Sequence, residues 1–171
     1  MTMDYIISDY ITGKAVRNIG PEAVRQAFEK FLTDEKGYEK KDIRVDEPIV
    51  VQFQGEDYPT VIDLIVFCND KAFMAITCVA GSIGSYEREI LAGARLMYGC
   101  QIPLAVSTDA RDAVILDTIS GKTVGKGLHD IPSKKEALER IKTMEFRPLD
   151  KNRKEREMII FRSFNLEKIN K

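Results

Sequence analysis

Residues 60–67 and 72–80 are apolar almost without interruption and are separated by a short link carrying Asn69 and Asp70. Runs of this length, without polar alternation, read as strands buried on both faces and joined by a tight turn. Such a pair needs cover on both faces of its sheet, so helices are required on each side. Val24, Phe28, Phe31 and Leu32 recur on one face of a helix predicted over 21–35, with Pro21 in its first turn. Ile90, Leu91, Ala94 and Met97 predict another over 86–98. Short β-rich runs at 43–45 and 49–53, followed by a polar turn at 54–58, begin a meander. An apolar run at 104–107 after the second helix implies a crossover to a parallel strand, and the runs 113–117 and 123–124 around Ser120 and Gly121 imply a hairpin. The predicted fold class is α/β, a mixed central sheet flanked by helices.

At 171 residues the chain can bury one substantial core. The core is assigned to residues 21–130, preceded by an N-terminal segment at 1–20 and followed by a C-terminal helical extension at 131–171. Ser133 and Glu136 have the spacing of a capping box, and Asp150 can cap a last helix that sets Met158, Phe161 and Phe164 toward one side. Within that helix, Lys151 with Glu155 and Arg153 with Glu157 are spaced as surface ion pairs.

With 44% hydrophobic and 31% charged residues the composition excludes a largely disordered chain. No apolar run is long enough for a membrane helix, and Asp4 and Asp9 stand where an export leader needs basic residues, so a cytoplasmic protein with no membrane partner is expected. Three cysteines without a C-x-x-C pair, and a single histidine, His129, indicate neither a disulfide framework nor a zinc site. Residues 1–146 carry 18 basic and 23 acidic side chains, whereas 147–171 carry 8 and 4, so the tail is the basic region. Ser120 to Thr123 resemble the end of a phosphate-binding loop, but Leu116 stands where that loop needs its first glycine, and a hairpin turn accounts for them.

Asp63 breaks the first apolar run. A carboxylate there costs several kcal/mol unless it is paired. It either holds a hard cation such as Mg²⁺ together with other carboxylates, or braces the end of the sheet, or contacts a basic side chain such as Arg25.

The order and spacing of several short segments carry a resemblance. They are Pro-Glu-Ala-Val-Arg-Gln at 21–26, Lys-Gly-Tyr at 36–38, Ile-Asp-Leu-Ile-Val-Phe at 62–67, residues 71–81, Ala94 with Arg95, and residues 107–112. Together, over 21–124, they resemble the nuclease domain at the N-terminus of type I restriction enzyme R subunits, a branch of the PD-(D/E)XK fold. The resemblance implies a restriction-endonuclease-like core in which the strand Asp is followed on the next strand by Glu-x-Lys. The two carboxylates would hold metal and the lysine would orient water. Residues two apart on a strand point the same way, so such a pair reaches one pocket. Here Asp63 matches, but Thr77 stands at the Glu position and Val79 at the Lys position. Shifting by one residue gives Ile76 and Cys78, which supply no better pair. On the next helix Glu89 and Gly93 replace the Gln and Tyr that relatives often carry.

The resemblance therefore implies a catalytically degenerate nuclease-fold protein that binds DNA or a protein partner, and a stand-alone relative, since no helicase motor follows within these residues. One alternative is an active Mg²⁺-dependent DNA endonuclease. Its metal would be held by Asp63 with Glu47, Glu87 or Glu89, Lys71 could supply the missing lysine, and Arg25, Arg95 and Lys71 are the candidate DNA contacts. Another is a structural module or homo-oligomer, for which the last helix would carry an uncovered apolar patch.

Overall fold

The computed structural model describes the backbone of residues 5–169 and the side chains of residues 5–165. Residues 1–4 of the N-terminal segment and 170–171 of the helical extension lie outside the described residues. In chain order the elements are β1 (Ile6–Ser8), β2 (Ala15–Arg17), α1 (Glu22–Asp34), β3 (Ile43–Phe53), β4 (Glu56–Cys68), β5 (Lys71–Cys78), α2 (Glu87–Leu96), β6 (Leu104–Thr108), β7 (Ala113–Asp117), β8 (Thr123–Lys126), α3 (Lys134–Ile141) and α4 (Lys151–Ile169). Strands β3 to β8 form one sheet in sequence order. Neighbours are antiparallel except β5 and β6, which are parallel and joined through α2. The expected crossover and mixed sheet are thus present. β1 and β2 make a separate small hairpin in the segment to which the sequence assigned no element.

Two cores lie on opposite faces of the sheet. One gathers Phe28 and Leu32 of α1 and Ala137 and Ile141 of α3 over Leu64, Val66, Met74, Ile76 and Val106. The other gathers Ile90 and Ala94 of α2 and Phe161 of α4 over Ile49, Val51, Ile62, Ile65, Ala75 and Ala105. The side chains of β5 and β6 are buried almost throughout because both faces are covered.

β3 and β4 do not keep one alternation along their length. Successive odd residues of a regular strand share a face, yet Ile43 packs on the α1 side and Ile49 and Val51 on the α2 side. β4 likewise sends Ile62 to the α2 side and Leu64 to the α1 side. The switches coincide, since Val45 pairs with Leu64 and Glu47 with Ile62, and the pairing skips Asp46 and Asp63 between them. Asp46 turns the chain with a φ of 51°, a left-handed conformation that aspartate tolerates better than most residues. The two β-rich runs expected from sequence are therefore one strand that changes face at Asp46.

The capping box at Ser133 and Glu136 forms, and Asp150 accepts the amide of Asn152 at the start of α4. Phe161 is fully buried, and Met158 and Ile160 pack on the chain's own core, whereas Ile159 stays exposed. Among the described residues no helix is long and apolar enough to cross a membrane.

α4 reaches this depth because Gly93 leaves room. A Cβ built there would lie 3.0 Å from both Ile62 Cδ1 and Phe161 Cε2. A tyrosine at this position, expected from the resemblance, would collide with Phe161. Gly93→Ala should therefore lower stability by about 1 kcal/mol, because overpacking outweighs the gain in helix propensity. Phe161→Ala should cost about 3–5 kcal/mol by opening a cavity. Denaturant titration measures both, and an unchanged midpoint for Gly93→Ala would mean that Ile62 and Phe161 can give way.

Candidate functional site

Asp63 sits where β4 and β5 part. Their pairing ends at Leu64 with Ile76. Beyond it the Asp63 carboxylate takes over, with Oδ2 accepting from the Cys78 amide at 2.7 Å and the Thr77 hydroxyl at 3.3 Å. The carboxylate thus braces the sheet end and answers a backbone donor that the diverging strand no longer meets. Val79, at the expected Lys position, is buried, and its amide donates to the Thr108 carbonyl. Cys78 is also buried, and burial, followed by the nearby Asp63 charge, pushes its thiol well above the ordinary range, which disfavours the thiolate.

A cleft of about 260 Å³ opens beside Asp63, lined by Glu22 and Arg25 of α1, Asp46 of β3, Cys78 of β5, and Val16 and Arg17 of the β2 strand. Its dominant feature is the buried Arg25 guanidinium. Nη1 donates to Asp46 Oδ1 at 2.8 Å, and Nε and Nη2 donate to Glu22 Oε1 at 3.1 and 2.7 Å. Asp9 of the hairpin loop lies 3.5 Å from Nη2, and Glu29 lies 3.9 Å from Nε. Burial alone would lower the Arg25 pKa, but the bonds to Glu22 and Asp46 outweigh it and raise it further.

Glu22, Arg25, Gln26 and Glu29 form a polar stripe at helical spacing beside the apolar face of α1. The stripe was readable in the sequence, yet of its members only Arg25 was singled out. Asp46 and Asp9 carried no comparable signal. None of Glu47, Glu87, Glu89 and Lys71 lines this cleft. Glu47 Oε1 accepts from Tyr98 and Arg44. Glu87 and the buried Glu89 belong to the first turn of α2. The Lys71 ammonium lies 4.8 Å from the Phe146 ring centroid. Arg95 is also buried, donating to the Thr118 carbonyl at 2.9 Å and to Glu157 at 2.7 Å.

These residues do not fit a Mg²⁺ ion, which needs near-octahedral oxygen ligands. The cleft's carboxylates are already directed at donors of the protein itself: Asp63 at β5, and Glu22 and Asp46 at Arg25. Among the described residues no group of three His, Cys, Asp or Glu side chains is placed to hold a metal. The cleft is a cluster of carboxylates, each of them hydrogen-bonded to a donor of the protein itself.

Glu29 is fully buried beside Asp9, and neither of its carboxylate oxygens accepts a hydrogen bond. Burial first, and then the Asp9 charge, push its pKa up from 4.5 to about 8, although Arg25 opposes the shift. Asp9 moves the other way. Burial would raise it, but the Thr12 amide and hydroxyl, the Gln26 amide and Arg25 together lower it. The negative charge of the pair therefore resides on Asp9 and a proton on Glu29. A folded pKa above the unfolded one means that the native state holds the extra proton between pH 4.5 and about 8. The contribution of Glu29 is then fully present below the lower value and lost as pH rises to the upper, on the order of several kcal/mol in all. Glu29→Gln should flatten the fall in stability over that window, as measured by denaturant unfolding at a series of pH values. An equally steep fall in the variant would place the proton elsewhere.

No curated protein and no solved structure matches this chain. A family model described as Type I restriction enzyme R protein N terminus (HSDR_N) matches residues 20–132, which span α1, the whole six-stranded sheet and α2. The order of elements in that span is that of a restriction-endonuclease-like fold, and the chain belongs to the family of type I restriction enzyme R protein N termini.

Proposed function

We propose that this chain is a non-cleaving member of its family that acts by binding DNA or a protein partner. The observation that carries the reading is the Arg25 guanidinium, paired with Glu22 and Asp46 in the cleft beside Asp63. A metal-dependent phosphodiesterase needs carboxylates free to coordinate cation and water, and a lysine or equivalent to position the attacking water. Thr77 and Val79 supply neither, and Glu22, Asp46 and Asp63 are already engaged by Arg25 and by the Cys78 amide. Binding requires none of these groups. The family's membership in restriction systems supports DNA or a component of a DNA-processing assembly as the partner.

Incubating the protein with supercoiled and linear DNA and Mg²⁺ or Mn²⁺ should leave both substrates intact, with no difference between wild type and Asp63→Ala. Cleavage by the wild type that disappears in the variant would sink the reading. Gel-shift titration at two salt concentrations then separates the partners, since phosphate contacts weaken steeply with salt.

A further inference from the structure

The basic character of the tail takes a definite form on the face of the sheet opposite Asp63. α4 lies along α2, and between them is a cleft of about 280 Å³ lined by Arg88 and Leu91 of α2 and Asn152, Arg153, Arg156 and Glu157 of α4. Arg88, Arg153 and Arg156 are exposed, and no ion pair or side-chain hydrogen bond engages their guanidinium groups within the described residues. The i, i+4 spacing had matched Arg153 with Glu157. Instead Glu157 is turned inward and is spent on buried Arg95 at 2.7 Å. The pairing of Lys151 with Glu155 is likewise absent among the described residues. Residues 151–156 are all exposed and include Lys151, Arg153, Lys154 and Arg156 against the single acid Glu155.

We infer that this α2–α4 groove is a binding site for the phosphodiester backbone of a nucleic acid. Guanidinium groups present planar, paired donors that match phosphate oxygens, and three of them border one concavity. The row of cations along the first two turns of α4 extends beyond what one free phosphate could occupy and suits a charged strand. The buried Arg95–Glu157 pair fixes the floor of the groove and neutralises the acid that would otherwise repel an anion. The inference rests on the DNA arm of the proposed function and assigns that arm to a surface distinct from the Asp63 cleft.

The test is fluorescence anisotropy with labelled duplex DNA, single-stranded DNA and RNA at 50 and 200 mM salt. It compares wild type, the variant Arg88→Glu/Arg153→Glu/Arg156→Glu, and a control with the same change of charge on α3 and the residue that follows it, Lys135→Glu/Arg140→Glu/Lys142→Glu. Thermal unfolding establishes that all three fold. The groove variant should bind at least about tenfold more weakly than the control, and its slope of log K against log salt on duplex DNA should fall by about 2.7, or 0.9 per lost phosphate contact. Equal binding by the groove and control variants would overturn the groove while leaving the proposed function standing. If wild type binds no nucleic acid at the lower salt, the groove assignment and the DNA arm fail together. Arginine-dependent binding of a phosphopeptide, without nucleic-acid binding, would overturn the nucleic-acid assignment.

Discussion

A single guanidinium draws together parts of the chain that are far apart in sequence. Arg25 reaches Asp9 in the hairpin loop, Glu22 and Glu29 on its own helix, and Asp46 where β3 changes face. Removing it from water costs several kcal/mol, and that cost is tolerable because short, directed bonds to carboxylates replace the lost hydration. The dependence is mutual. Without the cation, Glu22 and Asp46 would lose their main donor, and Asp9 would face Glu29 with the Gln26 side-chain amide, the Ile11 amide and the Thr12 donors left to answer its charge. The N-terminal hairpin, the first helix and the break in the sheet thus meet in one electrostatic arrangement. The same arrangement occupies the place where the family resemblance leads one to look for chemistry.

Elements outside the matched span complete the molecule on both faces of the sheet. The β1–β2 hairpin adds wall to the Asp63 cleft, and α4 adds Phe161 to the core under α2. Neither is a loose appendage. Asp9 is nearly inaccessible in the Arg25 cluster, and Gly93 is shaped to receive the ring of Phe161. The molecule therefore has one face that carries a buried ionic cluster and another on which arginines of α2 and α4 remain turned outward.

Much of this architecture was legible in the sequence. The buried strands announced themselves by apolar runs too continuous for an exposed face, and α1, α2 and α3 by periodicity or capping residues. The N-terminal hairpin did not, because strands of three residues carry almost no periodic signal. Of the site, Asp63 and Arg25 could be picked out in the sequence. Thr77 and Val79 could be read directly, whereas Glu22, Asp46 and Arg25 meet through tertiary folding, and Asp46 depends on a backbone conformation that no pattern of polarity announces. The pairing expected between Arg153 and Glu157 failed for a related reason. An exposed pair within a helix stabilises by only about 0.2–0.5 kcal/mol, and a buried Arg95 that would otherwise stay unpaired competes more strongly for the same acid.

The coincident change of face in β3 and β4 also restricts how the two strands can align. In an ordinary hairpin a slip of one residue puts every side chain on the wrong face, but a slip of two restores the alternation and is opposed only by the turn and the ends. Here a slip of two would move Asp46 away from Asp63, so that part of each strand would present its apolar residues to the wrong core while the remainder stayed correct. The long antiparallel ribbon consequently has one alignment that satisfies both cores at once. Two aspartates that interrupt its apolar pattern act as a notch that keeps it from sliding.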